Sequence, residues 1–500
     1  MKKIVFLLAA TLSISVQAQD ISDAVRFAQE NVNGTARFRA MGGAFGALGG
    51  DFSSININPA GSVIFANSQA GFTLSNFNNS NDSNFFGTTK NKSNNSLDLS
   101  QAGGVYVFKN EDKRSDWKKF AVALNYENIK DFNNSIFSAG TNSNSVANYF
   151  LSYANGLPLS IVNGTQYSYS DLYYNEQQAY LGYGAYVINE AADYSETNMN
   201  YVSLVPAGGN YYQENKLYAT GYNGKLSFNG SAQYKDVLTV GVNLNSHFFD
   251  YYQSTSFYES NSNNTSSTDV LVKRLKFDTD LYTYGNGFSF QIGTIYKPVK
   301  ELRLGIAYQS PTWLRMTDEV TQSIAAVSGT STTEYQPDVV NPGVTMLFEP
   351  YRLQTPSKWT GSFAYIFGKK GLVSFDYATK NYSNTKYTPK QEFTNSNSAL
   401  RNLLTSTNEY RLGAEYRIER VSLRAGYRFE QSPYKDKITI GDLTAYSGGI
   451  GYNFGATKLD VAYSIANQNS KQQFFTQGLT DAANIQSKNN TICLTLLFEL

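Results

Sequence analysis

Apolar and polar residues alternate along at least a dozen segments of this chain, each roughly ten residues long. In the final segment, the apolar face consists of Ile492, Leu494, Leu496, Phe498 and Leu500, and the residues between them are Thr491, Cys493, Thr495, Leu497 and Glu499. A period of two predicts β-strands with one apolar face and one more polar face. Soluble proteins usually use strands of about 5–6 residues, whereas strands that cross a bilayer need about 9–11, so the pattern predicts a transmembrane β-barrel.

Connection lengths predict the topology of this barrel, because short turns are expected on the periplasmic side and long polar loops on the outer side. The six predicted turns are 109–118, 235–236, 297–300, 368–371, 419–420 and 455–458. The seven predicted loops are 79–97, 129–220, 253–281, 318–356, 384–406, 432–442 and 470–489. These connections join fourteen antiparallel strands, with both chain ends in the periplasm. A strand-like stretch at 344–353 leaves sixteen strands as the alternative.

The hairpin around Glu419-Arg420 predicts charged residues on the lumen face. With a two-residue turn, Glu415 lies opposite Arg424. Four further charges then form a diagonal ladder of alternating sign on the same face, namely Glu409, Arg411, Arg428 and Glu430. Two interpretations remain open: the ladder either stiffens and solvates the lumen, or helps to carry the headgroup of a ligand.

The predicted loop 129–220 is far longer than typical connections. Apolar and aromatic residues recur in it at near-helical spacing, namely Leu172, Tyr173, Ala179, Tyr180, Tyr183 and Tyr186. This spacing predicts an amphipathic helix that could form a lid. Its aromatic residues would either dock a hydrophobic molecule or pack the loop on itself. The tracts 79–97 and 253–268 are rich in Asn and Ser and are expected to be loops without a chemical role.

Composition fits a barrel and excludes other classes of protein. The chain of 500 residues contains 38 Tyr and 32 Phe, and its mean hydropathy is −0.37 with 16% charged residues. Aromatic residues are typical of the girdles of membrane barrels. The net charge of +1 predicts no nucleic-acid partner. A single cysteine, Cys493, excludes an intrachain disulfide, and we expect neither a metal nor a cofactor. Cys493 is interpreted as a small residue facing inward on the last strand.

The first residues have the pattern of a secretory signal peptide. Lys2 and Lys3 form a basic region, residues 4–16 are mostly apolar, and Val16-Gln17-Ala18 has the spacing of a cleavage site. We therefore expect a signal peptide over 1–18. Export combined with a barrel pattern predicts a monomer surrounded by lipid in the outer membrane of a Gram-negative cell.

Residues 19–66 do not alternate, and they separate the signal peptide from the barrel at 67–500. Ser22 is expected to cap a short helix, and a Gly/Ala-rich stretch follows at 34–61. Its glycines, including Gly42 and Gly43, permit close backbone packing or positive φ. The stretch matches no phosphate-binding pattern. Pro59 is expected to hold Asn58 extended, so that the Asn58 side chain can bond neighbouring backbone groups.

Two sequences in this region, ARFRAMGGAFGALGGD at 36–51 and ININPAG at 55–61, resemble the FadL/TodX family of outer-membrane transporters for long-chain fatty acids and other hydrophobic compounds, in its Bacteroidetes form. The triplet Asn58-Pro59-Ala60 matches the characteristic element of the family's N-terminal hatch. The resemblance implies a hatch that plugs the lumen, external loops that capture a hydrophobic ligand, and lateral release through a gap in the wall.

Passive uptake of hydrophobic molecules such as long-chain fatty acids is the favoured function. One alternative is haem uptake, since chains of this kind are sometimes labelled haemin receptors, and another is a scaffold in a secretion or surface-attachment complex. The single histidine, His247, is expected near the outer rim of strand five and supports haem binding only weakly. An enzyme is not expected, because His247 has no evident Ser or Asp partner at a fixed spacing.

Overall fold

A computed structural model describes residues 21–112, 114–192 and 194–500, so the predicted signal peptide lies outside the described residues. Fourteen antiparallel strands form a closed barrel. The strands are β1 (Gln69–Phe85), β2 (Thr88–Lys109), β3 (Trp117–Asp131, continued by Asn134–Asn142), β4 (Tyr211–Tyr234), β5 (Leu238–Asn261), β6 (Leu271–Tyr296), β7 (Leu302–Gln309, continued by Trp313–Gly329), β8 (Tyr351–Gln354, continued by Lys358–Phe367), β9 (Gly371–Asn381), β10 (Ser406–Ile418), β11 (Val421–Glu430), β12 (Ile440–Asn453), β13 (Thr457–Gln473) and β14 (Ala482–Glu499). The barrel closes where β14 pairs with β1, from Gln69 opposite Glu499 to Asn84 opposite Asn484.

Short elements complete the described chain. The α-helices are α1 (Ile21–Ala28), α2 (Ala36–Ala40), α3 (Ala147–Ala154), α4 (Leu159–Val162), α5 (Tyr174–Gly184) and α6 (Thr394–Leu403). The 3-10 helices are Ser53–Asn56, Pro59–Ile64, Tyr169–Asp171 and Tyr382–Asn384. Short strands Asp338–Val340, Met346–Leu347 and Lys386–Thr388 pair onto the barrel, and Ile188–Glu190 pairs with Tyr201–Ser203. In the described part of the chain, no helix has both the length and the hydrophobicity needed to span a membrane.

The six predicted turns are confirmed, but the predicted outer loops are too long. Residues 79–97, predicted as a loop, form a tight hairpin in which only Phe86 and Gly87 separate β1 from β2. The tract 253–268 is also mostly strand, because β5 continues to Asn261. Above the bilayer, strand pairing satisfies the backbone hydrogen bonds without an apolar face. A strand that is polar on both faces shows no apolar/polar alternation, so the sequence pattern did not predict it.

The alternative of sixteen strands is wrong. Residues 346–347 pair with Glu319 and Val320 of β7, and Tyr351–Gln354 forms the outer part of β8. The strand-like stretch at 344–353 therefore belongs to the return path between two existing strands.

An apolar belt surrounds the half of the barrel that is nearer the short turns. On β5, the outward-facing Val240, Val242 and Leu244 are 39%, 43% and 51% exposed. Aromatic residues at the two edges of the belt include Phe120, Tyr416 and Phe454 near the short turns, and Trp313, Trp359 and Tyr446 toward the outer side. This arrangement matches the girdles that position a barrel in a bilayer.

The longest connection, residues 143–210, folds into a cap on the outer end of the barrel. Phe150 of α3 and Leu181 of α5 are fully buried, and they belong to one apolar cluster with Phe257 of β5, Phe277 of β6 and Phe475 of the connection between β13 and β14. The aromatic residues of this loop therefore pack the cap on itself and on the strand extensions. Two of the residues grouped by near-helical spacing are not part of the helix, and they are exposed: Tyr173 by 74% and Tyr186 by 54%. They flank α5 on either side, so the helical period does not apply to them.

Candidate functional site

Residues 21–66 fill the lumen, and we call this segment the hatch. It contacts the wall on opposite sides of the barrel: the backbone N–H of Ala36 donates to Thr495 Oγ1 of β14 at 2.7 Å, and Asn58 Nδ2 donates to the carbonyl of Thr294 on β6 at 3.0 Å. Ser447 of β12 donates to the Ala40 carbonyl at 3.1 Å. Ser22 was expected to precede a helix but lies within α1. The hatch is thus bonded to the inner faces of many strands.

Helix α1 occupies an apolar chamber in the outer half of the lumen. The Phe27 ring lies 4.8 Å from the Phe249 ring, 5.5 Å from the Phe132 ring and 6.3 Å from the Tyr251 ring, measured between centroids. Ala24 and Val25 are fully buried. The remaining walls of the chamber come from β7, β8 and the segment around α6, and include Leu314, Met316, Tyr351, Leu353, Tyr382, Tyr387, Phe393 and Leu400.

Cations of the wall hold the C-terminal end of α1. Lys130 Nζ donates to the Arg26 carbonyl at 2.9 Å, Lys380 Nζ donates to the Ala28 carbonyl, and Arg428 donates to the Glu30 carbonyl at 3.3 Å. The last carbonyls of a helix lack partners within the helix and carry partial negative charge. Positive side chains at this end therefore stabilise the docked helix.

Glu30 follows α1 and projects its carboxylate toward lysines of the wall. Gln309 Nε2 donates to Glu30 Oε1 at 2.9 Å, and Lys358 Nζ lies 3.9 Å from Oε2. Burial alone would raise the pKa of Glu30, but Lys380, Lys358 and Lys225 outweigh that effect and hold the pKa well below its ordinary value. A small cavity of about 20 Å³ lies beside this carboxylate and has room for about one water molecule.

The Asn58-Pro59-Ala60 triplet joins two parts of the hatch to the wall. Asn58 is extended and caps the 3-10 helix Pro59–Ile64, since its Oδ1 accepts the Ala60 N–H at 3.1 Å. Its Nδ2 donates to the carbonyl of Gly46 at 2.7 Å as well as to Thr294. Wall glycines make room for the triplet: a Cβ at Gly293 would lie 2.1 Å from Asn58 Oδ1.

The tight turn after α2 presents backbone N–H groups to a carboxylate of the wall. Gly42 and Gly43 have φ of +62° and +76°, values that residues other than glycine rarely adopt. The N–H groups of Phe45 and Gly46 then donate to Asp376 Oδ2 of β9, each at 3.0 Å. The positive φ values thus let the chain reverse and face this carboxylate.

Buried polar groups also hold the hatch together internally. Thr35 Oγ1 donates to Asp51 at 2.8 Å, the Ser53 N–H donates to Asp51 Oδ1 at 2.9 Å, and the Thr35 N–H donates to Ser53 Oγ at 2.9 Å. Burial raises the pKa of Asp51, and the nearby Arg37 opposes this shift. These bonds join Thr35, at the start of α2, to the segment that begins at Asp51.

The predicted charges of β10 and β11 line the lumen, with Glu415 directly opposite Arg424. Glu415 accepts from Arg424 Nε at 2.7 Å, and from Arg37 of the hatch at 2.8 Å. Glu409 lies 2.6 Å from Arg411, 2.9 Å from Arg428 and 3.2 Å from Lys358. Arg428 also pairs with Glu430. The ladder therefore forms part of the surface on which the hatch rests.

Several residues of this contact surface were missed by the sequence analysis, namely Glu30, Arg37, Lys358, Asp376 and Lys380. On their own strands, Lys358, Asp376 and Lys380 occupy ordinary lumen-facing positions. Their partners in the hatch lie more than 300 residues away in the chain, so no local spacing marks them. The only signal in the sequence is that these charged residues occupy the alternate strand positions that face the lumen.

The single histidine lies deeper than expected. His247 is on β5, as predicted, but this strand continues to Asn261, so the ring is in mid-strand and buried. Its Nε2 lies 2.8 Å from Ser289 Oγ, and Lys225 is its partner on β4. This placement adds no support for haem ligation. Cys493 faces inward and packs against Ala36 and Ala40 of the hatch.

A closed barrel with an apolar belt and a bonded plug defines a class, the outer-membrane transport barrels. A family model described as "Outer membrane protein transport protein (OMPP1/FadL/TodX)" matches residues 12–499, and the chain belongs to this family. The protein is accordingly an outer-membrane transport protein for hydrophobic compounds.

Solved structures agree with this fold. The chain is similar to a FadL homologue from Pseudomonas aeruginosa with 12% sequence identity and a TM-score of 0.53, covering 94% of this chain and 99% of that one. It is also similar to the toluene transporter TodX from P. putida, with 13% identity, a TM-score of 0.50, and the same coverages of 94% and 99%. At these identities the similarity establishes the fold alone. No curated protein sequence matches the chain.

Proposed function

We propose that this protein carries long-chain fatty acids, or molecules of the same shape and polarity, passively across the outer membrane. External loops capture the ligand, and the hatch gates its passage through the lumen. We propose that the protein acts as a monomer surrounded by outer-membrane lipid; because β14 pairs back onto β1, no sheet edge is left to pair with a second chain.

One observation carries this proposal: the apolar chamber around α1 ends at a group of lysines. The chamber holds Val25 and Phe27, and Lys358 and Lys380 lie where α1 ends and Glu30 begins. A molecule with a long apolar body and one carboxylate has the same order of groups as this part of the hatch. Such a ligand can use the chamber only when α1 moves, which couples entry to gating.

Energetics also favours a moving hatch. Burial of apolar surface contributes about 25 cal/mol per Å². A fatty acid held rigidly in the chamber would therefore dissociate slowly, whereas return of α1 to the same apolar surface would compete with it. The wall's bonds to the hatch, among them that of Asn58 to Thr294 and that of Arg411 to the Gly43 carbonyl, keep the remainder of the plug in place. We infer that the Asn58-Pro59-Ala60 triplet anchors the part of the hatch that does not move.

The test is uptake into proteoliposomes of palmitate and of hexadecanol, which share their chain length and differ in the headgroup. The double variant Lys358→Met/Lys380→Met should slow palmitate uptake about tenfold and hexadecanol uptake much less, since one charge-assisted hydrogen bond contributes about 1.5–3 kcal/mol. The control is Lys276→Met on the outer part of β6, where the Lys276 side chain is 55% exposed.

Three outcomes would contradict the proposal. Equal losses for palmitate and hexadecanol would remove the lysines from headgroup recognition. Unchanged uptake of both would show that the chamber is not on the path. Sugars and ions passing through the native protein as readily as fatty acids would overturn hydrophobic transport for this chain.

A further inference from the structure

A trough of small side chains crosses the lipid-facing wall near its periplasmic end. Val373 on β9 lies opposite Ala414 on β10, Ala414 lies opposite Ala425 on β11, and Ala425 lies opposite Gly448 on β12. These four residues point outward, since their chain neighbours Ser374, Gly413, Gly426 and Gly449 face the lumen. The wall is therefore recessed along this row.

Larger side chains border the trough on both sides. Leu412 and Tyr427 form its outer edge, and Tyr416 and Leu423 form its periplasmic edge. Phe367 of β8 and the stem of Lys370 close one end, and the groove has a volume of about 500 Å³. Its surface is mostly apolar, which suits a hydrocarbon chain.

The barrel itself does not require this recess at Gly448. A Cβ added there would meet a single neighbouring atom within 4 Å, the carbonyl oxygen of Arg424 at 3.6 Å. The lumen face differs: a Cβ at Gly413 would lie 2.7 Å from the Met41 carbonyl oxygen, and one at Gly426 would lie 2.2 Å from the Gly42 nitrogen. The hatch explains the small residues inside, whereas the recess outside calls for an occupant.

Positive charge lies at the periplasmic end of the trough. Lys370 lines the groove, and Lys369 precedes it in the turn between β8 and β9. The Arg417 N–H donates to the Lys370 carbonyl at 2.7 Å, which joins this turn to the end of β10, where Arg420 lies in the next turn. Within the described chain, no carboxylate forms an ion pair with Lys369, Lys370 or Arg420.

We propose that this trough binds one phospholipid of the periplasmic leaflet, with an acyl chain along Ala414 and Ala425 and the phosphate at Lys369 and Lys370. The apolar groove and the cations are arranged in the order of a phospholipid that enters from the periplasmic surface. Lysines at the membrane surface attract anionic headgroups. This site is separate from the lumen, so it does not depend on the ligand proposed for transport.

Native mass spectrometry of the detergent-purified protein, incubated with dioleoyl phosphatidylglycerol, tests the site. The wild-type protein should retain one lipid at activation energies that remove the others. Ala414→Leu/Ala425→Leu fills the trough and should weaken retention about tenfold, which corresponds to about 1.4 kcal/mol. The matched control is Ala232→Leu on the lipid-facing side of β4, where retention should not change.

A second pair of measurements tests the headgroup. Lys369→Gln/Lys370→Gln should weaken retention of phosphatidylglycerol but not of dioleoylglycerol, which has the same chains without the phosphate. Gel mobility before and after boiling verifies that each variant is folded. Equal retention by wild type, trough variant and control would mean that only exchangeable surrounding lipid binds, and would overturn the proposal. An equal effect of the lysine variant on both lipids would overturn the assignment of the phosphate.

Discussion

Individual polar residues of the hatch and of the inner wall are hydrogen-bonded to one another. Asn58 gives its two amide hydrogens to carbonyls of the hatch and the wall, and Asp376 accepts two backbone N–H groups. Buried polar groups are stable only when such partners are present, because an unpaired one costs about 1–3 kcal/mol. The plug is therefore held by specific hydrogen bonds.

Glu30 makes hatch docking depend on pH in a defined direction. Its pKa is lowered in the docked state, so its contribution to docking is complete at a pH above the ordinary value of 4.5 and is lost only as the pH falls through the lowered pKa. We expect the hatch to stay docked at pH 5, and Glu30→Gln to loosen α1 at pH 7. Hydrogen exchange of residues 24–30 measures both. Weaker protection of these amides at pH 5 than at pH 7 in the wild type, after correction for intrinsic exchange, would contradict this direction.

The position of Val242 predicts the cost of a charge in the lipid. Val242 faces outward in the belt, whereas Ser254 faces outward on the same strand above it. Val242→Arg should destabilise the folded barrel by about 2–4 kcal/mol if it lies near the bilayer midplane, and Ser254→Arg by about 0–1 kcal/mol. Urea unfolding in phospholipid vesicles measures both. Similar costs at the two positions would refute the height assigned to the belt.

At the level of elements, the hatch and the wall have separate kinds of support. Each barrel strand pairs with a neighbouring strand on both sides, while α1 and α2 are held by side-chain contacts to the wall. Helices this short are not stable alone in water. The barrel can therefore form its own ladder, and the hatch depends on the barrel.

Removal of residues 20–58 should accordingly leave a folded barrel with an open lumen. We expect higher single-channel conductance in planar bilayers and greater sensitivity of cells to large antibiotics. Gel mobility before boiling verifies that the barrel is intact. A control deletion within the tract 263–268, in the connection between β5 and β6, should leave conductance unchanged. If the 20–58 deletion conducts no better than the wild type, the segment does not close the pathway.

At the scale of the whole molecule, closure of the sheet predicts that the protein resists unfolding. Inside the bilayer, an unpaired backbone group has no water to bond, so the strands separate only when much of the ladder opens together. Pairing between β1 and β14 covers Gln69 to Asn84 and supplies the final seam.

We therefore expect the protein to be heat-modifiable. Unboiled samples should migrate faster in a detergent gel than boiled samples, because the closed barrel stays compact in detergent. Recovery from the membrane fraction of cells accompanies this test. Identical mobility with and without boiling, or recovery in the soluble fraction, would contradict a closed membrane barrel.

The sequence alone determined the barrel, its fourteen strands and its periplasmic turns, since side chains in the membrane must alternate between lipid and lumen. The position of Glu415 opposite Arg424 followed from the two-residue period of a strand and from a two-residue turn. Only the tertiary structure decided those features that no regular spacing in the sequence marks. Polar strands pair above the bilayer without an apolar face, and Glu30, Lys380 and Asp376 meet partners that are distant in the chain. Such contacts depend on how the hatch lies in the closed barrel, which local pattern does not encode.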